Sequence, residues 1–137
     1  MSPDPISLTS LLDAPAPAVL TTYRKDGMAV SSPVWFRNAD DALEVVIADG
    51  DVKLQHLKKT PRCALLVFEV NAPFRGLRIE GTPVLDRTGV TDVRRAIARR
   101  YLGDIDGDRF TANRGPATII RLPLSEARTW DLTAILP

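Results

Sequence analysis

Runs of strand-forming residues, separated by turn signals, fill most of the chain. Ala18–Arg24 is β-branched and aromatic, Lys25-Asp26-Gly27 supplies a turn, and residues 28–37 alternate towards Val34-Trp35-Phe36 before a second turn at Asn38-Ala39-Asp40-Asp41. Residues 43–48 predict a third strand and residues 62–70 a fourth that is largely buried. Residues 75–85 predict one long strand with Leu77, Ile79 and Val84 on one side and a bulge or bend at Gly81. Residues 117–122 and 127–132 close the pattern. The period lengthens in three places. Residues 6–12 form a short apolar helix candidate ended by Pro15-Ala16-Pro17, residues 52–59 a basic helix ended by Thr60 before Pro61, and residues 91–102 an amphipathic helix with Val93, Ile97 and Tyr101 on one face. Residues 103–114 are polar and rich in glycine and aspartate, and predict a loop, either a lid or a plain connection. Six or seven strands with hairpin turns and few helices define a mainly β (α+β) class: a small antiparallel barrel with helices at its ends, because parallel crossovers would need more helices.

Composition narrows the function classes. A chain of 137 residues, 45% hydrophobic and 26% charged, suits one domain over residues 1–137 with its own core. A formal net charge of +1 offers no general field for a nucleic-acid backbone. Cys63 is the sole cysteine and lies in an apolar run, which predicts a buried, inert thiol and no intrachain disulfide. The first basic residue is Arg24 and no apolar run nears the ~20 residues of a membrane span, so the expectation is a cytoplasmic protein with neither nucleic acid nor membrane as partner.

Candidate chemistry concentrates in Asp49–Arg62. An acidic-glycine turn opens a basic helix there, and the free N–H groups of a helix start, with Lys53 in the first turn, make a seat for a phosphate. A solvated basic helix is the alternative. Other motifs fail. In Asp104-Ile105-Asp106-Gly107-Asp108 the glycine stands fourth rather than sixth and Gly115 replaces the closing glutamate of a calcium loop, leaving a solvated turn. His56 is the only histidine, which excludes a multi-histidine metal site and leaves an ordinary surface group. No phosphate-binding glycine motif follows a strand, and the arginines of residues 91–101 suit a solvated helix face. Exposed aromatics such as Trp35, Phe36 and Phe74 would be costly on a free surface, which points to a flat ligand or a homodimer seam.

The order of parts carries a resemblance: Val19-Leu20-Thr21-Thr22, the Asp26-Gly27 turn, Ser32-Pro33-Val34-Trp35-Phe36, an apolar strand, then Lys53, Leu57 and Pro61-Arg62. From about Ala18 to Leu85, with an echo at residues 120–125, the chain resembles the split β-barrel flavin-binding proteins of the pyridoxamine 5′-phosphate oxidase-like superfamily, and within it the small actinobacterial deazaflavin (F420)-dependent reductases. The resemblance implies that Lys53 holds the cofactor phosphate with help from Lys58 or Lys59, that the backbone of Ser32, Pro33, Val34 and Trp35 lines the ring, and that Ile47 and Ala48 pass beneath the ribityl chain. It further implies that Phe74 and Arg78 reach a partner's cofactor across a homodimer seam. Asp51 stands where close relatives have an arginine, and it would repel a phosphate unless it caps the helix. The ending Thr129-Trp130-Asp131-Leu132 lacks the arginines that grip substrate phosphate in pyridoxamine phosphate oxidases, which argues against that activity. The implied function is an F420-dependent oxidoreductase acting on an electron-poor small molecule. The alternatives are an FMN-dependent reductase or oxidase of the same fold, and a flavin or haem carrier without turnover.

Overall fold

Nine strands and four helices build the fold in the computed structural model, which describes residues 5–137, with side chains from Thr9 onward. The strands are β1 (Ala18–Tyr23), β2 (Ala29–Val34), β3 (Arg37–Ala39), β4 (Ala42–Ala48), β5 (Cys63–Phe68), β6 (Gly76–Gly81), β7 (Val84–Asp86), β8 (Ala117–Pro123) and β9 (Ala127–Trp130). The helices are α1 (Pro5–Asp13), α2 (Val52–Lys59), α3 (Val90–Leu102) and α4 (Asp104–Thr111). Every strand pairing is antiparallel, in two sheets ordered β2-β1-β5-β6-β9 and β3-β4-β8-β7. This is the antiparallel barrel expected from the strand pattern, in the split form that the resemblance implies.

Three expectations are corrected. Residues 28–37 form two strands, because the chain leaves the first sheet after Val34 and joins the second at Arg37. The predicted strand over 75–85 likewise divides at Gly81: β6 stays in the first sheet and β7 pairs with β8 in the second. These two crossings raise the strand number from six or seven to nine. Third, residues 104–111 are helical rather than loop. The turn at Asp40 and Asp41 has φ of 51° and 59°, the left-handed pair that a two-residue hairpin between Ala39 and Ala42 requires. Of the predicted first helix, Ile6 and Leu8 lie outside the described side chains, whereas Leu11 and Leu12 are buried.

The apolar residues sort into two clusters. Inside the barrel, Leu20, Phe36, Leu43, Val45, Ile47, Leu65, Leu77, Ile79 and Ile120 pack with Leu54 and Leu57 of α2 and with Leu11 and Leu12 of α1. Outside the second sheet, Val93 and Ile97 of α3 pack on Ile119, with Trp35, Val46, Val90 and Tyr101 around them. Strand alternation produces the division: in β4, residues 43, 45 and 47 face the barrel, while 44, 46 and 48 face outward. At the far end of that outer face, Glu44 is buried between Arg37 (2.6 Å) and Arg121, and Arg121 also meets Asp86 at 2.6 Å. Cys63 is buried as expected, and burial pushes its thiol up to about 12. Among the described residues no helix is long and apolar enough to cross a membrane.

Candidate functional site: a cleft between the second sheet and the paired helices

Helix α3 is fixed to the strands by two consecutive side chains. Arg100 donates to the carbonyls of Phe36 (3.0 Å), Leu12 (3.2 Å) and Ala14 (2.8 Å), so its charge also meets the negative end of α1. Tyr101 donates to Ala16 O (3.0 Å) and accepts from Phe36 N (3.4 Å). Burial, its largest influence, keeps the Tyr101 hydroxyl protonated beyond its usual range. With this anchor in place, the Tyr101 ring stacks on Trp35, centroids 5.2 Å apart and planes 9° from parallel.

Helix α4 folds back on α3 through Gly103, whose φ of 84° suits a residue without a side chain. Gly107 then lies against the backbone of α3: a Cβ there would sit 2.7 Å from both N and Cα of Arg99. Asp108 clamps the same contact by accepting from Arg99 Nε (2.7 Å) and Nη2 (2.9 Å). The close approach brings Phe110 to Trp35, with centroids 5.0 Å apart and a tilt of 50°.

Between these helices and the second sheet is a cleft of about 350 Å³. Pro33, Val34, Trp35, Val46, Ala48, Ile97 and Phe110 make its apolar wall, and Arg94, Arg114, Gly115 and Pro116 its polar end. A shallower hollow of about 630 Å³ on the β1 side shares Pro33, Val34, Trp35 and Phe110 and adds Pro17, Val19, Phe68 and Tyr101. Both volumes suit a small flat ligand.

Four of the expected residues, Pro33, Val34, Trp35 and Ala48, converge on the cleft. Ser32 is next to them on β2 but does not line the cleft; its Oγ is one of two buried side-chain polar atoms among the described residues with no hydrogen-bond partner. Ile47 goes elsewhere. It is a barrel-core residue, and the alternation of β4 gives the cleft to Val46 and Ala48 instead.

The basic helix is also differently arranged. Asp51 is its N-cap, accepting from Lys53 N at 2.9 Å, and it holds the Lys53 ammonium at 3.1 and 3.3 Å. Lys53 thus already has its counter-charge, with its side chain only 19% exposed. Lys58 and Lys59 are exposed in the last turn, about 8 Å or more along the axis from Lys53. None of the three lines the cleft. Phe74, 40% exposed, lies in the β5–β6 connection, and Arg78 pairs with Glu80 at 2.8 Å. Neither of these lines it either. His56 is half-buried rather than a plain surface group, with Nδ1 2.9 Å from Thr22 Oγ1.

Burial alone would raise the Asp51 carboxyl, but hydrogen bonds from the Lys53 backbone and ammonium overcome it and hold the group below the usual carboxylate range. Glu69 is also held low, chiefly by its hydrogen bonds from Arg75. Groups depressed in the folded state contribute stability above the unfolded carboxylate pKa, about 4, and lose it as pH falls through the folded value. The melting temperature is therefore expected to fall below about pH 4, and less steeply in Asp51→Asn, which still caps but cannot titrate. Thermal melts from neutral to acid pH check this; equal slopes for both proteins would contradict it.

The sequence pattern described as pyridoxamine 5′-phosphate oxidase matches residues 7–131, nearly the whole chain. The chain belongs to the pyridoxamine 5′-phosphate oxidase family. Among curated proteins none matches it in sequence. In three dimensions this family member is similar to a conserved hypothetical protein from Mycobacterium tuberculosis, at 18% identity and a TM-score of 0.82, covering 100% of this chain and 91% of the other. It is similar to an F420 reductase at 21% identity and a TM-score of 0.69, covering 88% and 94%. A FAD-binding protein from Mesorhizobium loti shares 17% identity with a TM-score of 0.66, covering 94% and 95%. At these identities the likeness establishes the fold.

Within that family fold, the sequence reading missed Val46, Arg94, Ile97, Phe110 and Arg114. Val46 was legible from the period of β4. Arg94 and Ile97 depend on α3 docking on the second sheet, and Phe110 and Arg114 on α4 folding back onto α3 at Gly107.

Proposed function

We propose that the chain is an F420-dependent oxidoreductase that works in the Trp35 cleft. The observation that carries this reading is the convergence on one apolar cleft of Pro33, Val34, Trp35 and Ala48, which resemblance to the F420-dependent reductases assigns to the cofactor's ring and ribityl chain. The residues present fit such a group. A flat aromatic ring needs an apolar wall, its acidic substituents need cations, and the cleft has both. Reduced deazaflavin supplies a hydride for an electron-poor acceptor such as a conjugated carbonyl, quinone or nitro compound.

The chain's own residues orient and shield. Trp35, held between Tyr101 and Phe110, fixes the wall and excludes water, and Val46 and Ile97 keep the floor apolar. Among the described residues, those lining the cleft offer apolar surface and two guanidiniums, so their contribution is position and charge. Pro33 and Val34 belong to β2, the outer strand of its sheet, and a second copy of the chain docking along that edge would close the cleft from outside. The fold's resemblance to an F420 reductase adds support of a coarser kind.

Fluorescence titration with F420 and with FMN, followed by anaerobic turnover of the reduced cofactor with quinones and enones, tests the proposal. Tight F420 binding with reoxidation on acceptor addition is the expected result. Preference for FMN would move the assignment to a flavin reductase, and binding without reoxidation would make the protein a carrier.

A further inference from the structure

We infer that Arg94 and Arg114, not Lys53, form the phosphate-binding pair of this site, receiving a phosphate carried by the flat ligand that enters the cleft. The inference rests on the functional reading above and deepens it. Both guanidiniums line the cleft's polar end, and each uses part of its donor set on a backbone carbonyl: Arg94 Nη1 on Gly115 O at 3.0 Å, Arg114 Nε on Phe110 O at 2.7 Å. The Arg114 guanidinium also lies 3.8 Å over the Phe110 ring, which sets its plane beside the apolar wall. A guanidinium has five N–H donors, so most remain for a ligand.

Neither arginine has an ion-pair partner among the described residues, in contrast to Arg37, Arg75, Arg87, Arg99 and Arg121. The carboxylate that does influence Arg94, Asp49, is taken by Arg87 at 2.6 Å and by the Thr118 hydroxyl at 3.0 Å. Burial and then the neighbouring Arg114 charge make the Arg94 proton easier to lose, the sign of two cations held together without an anion between them. A phosphate, with oxygens able to accept from both forks, would satisfy them together. Lys53, by comparison, would have to release Asp51 before binding anything.

The test compares phosphorylated ligands with their phosphate-free forms: FMN against riboflavin, and F420 against its bare deazaflavin chromophore, by fluorescence titration. The wild type is expected to favour the phosphorylated member tenfold or more. Arg94→Gln or Arg114→Gln should cut that preference at least fivefold, weakening the phosphorylated member more than the phosphate-free one. Arg114→Lys should retain part of the preference, and Lys53→Gln should leave it intact. In the wild type, inorganic phosphate should compete with FMN and not with riboflavin, a readout that does not depend on a variant folding. Equal binding of both members, or a preference lost in Lys53→Gln and kept in the arginine variants, overturns the inference while the cleft assignment stands. Failure of all four ligands to bind overturns both.

Discussion

Trp35→Ala is expected to weaken cofactor binding about a hundredfold, close to 3 kcal/mol, and to cost about 2–4 kcal/mol of folding stability. Two aromatic neighbours lose their partner at once, the stacked Tyr101 and the tilted Phe110, and such pairs contribute about 0.5–1.5 kcal/mol each beyond their buried area. The binding loss has a separate origin: Trp35 lines both the cleft and the adjoining hollow, so its removal merges them and admits water along the wall. Trp35→Phe keeps an aromatic surface and is expected to bind within about tenfold of wild type. Urea unfolding followed on the remaining aromatics, together with cofactor titration at a temperature where the variant is folded, separates the two effects. Unchanged affinity in a folded Trp35→Ala protein would remove the cleft from consideration.

Gly107→Ala is expected to reduce binding about tenfold or more, although its side chain never faces the ligand. The new methyl would meet Arg99 N and Cα at 2.7 Å and Cγ at 2.9 Å, and backbone atoms inside a helix cannot step aside. Helix α4 must therefore move off α3 and take with it Phe110 and Arg114. Overpacking of this kind costs about 1–3 kcal/mol, partly offset by alanine's better helix propensity, up to about 1 kcal/mol. The net change in stability should thus be near 1–2 kcal/mol. Gly50→Ala is the control, because a Cβ there meets nothing within 4 Å, and it should lie within about 0.5 kcal/mol of wild type. If Gly107→Ala binds normally, Phe110 and Arg114 do not shape the site.

The barrel was legible because its information is local. Period-two runs, Asp-Gly and Asp-Asp turns, and prolines at element ends each act within a few residues, and they placed α2 at residues 52–59 as the structure has it. The two strand divisions were less legible, since a run such as 75–85 has the same alternation whether it stays in one sheet or crosses to another at Gly81. The site was half legible. Pro33, Val34 and Trp35 stand on one short segment, whereas Arg94 and Arg114, 20 residues apart in sequence, meet only because α4 folds back on α3. Lys53 illustrates the opposite problem: its position in a helix's first turn suggests a free cation, yet the neighbouring cap residue that starts the helix also neutralises it.

The division of apolar residues into a barrel core and a smaller outer cluster has a thermodynamic consequence. Val93, Ile97 and Ile119 bury far less surface than the barrel interior, so the α3–α4 hairpin is the part of the chain that can open while the sheets remain paired. A ligand seated against Trp35 and Ile97 bridges that outer cluster to the sheet, and its binding energy falls on the weaker of the two cooperative units. Occupancy would then show itself less as a rise in the global unfolding midpoint than as the suppression of a partial opening, leaving amides of residues 90–111 protected only while the cleft is filled.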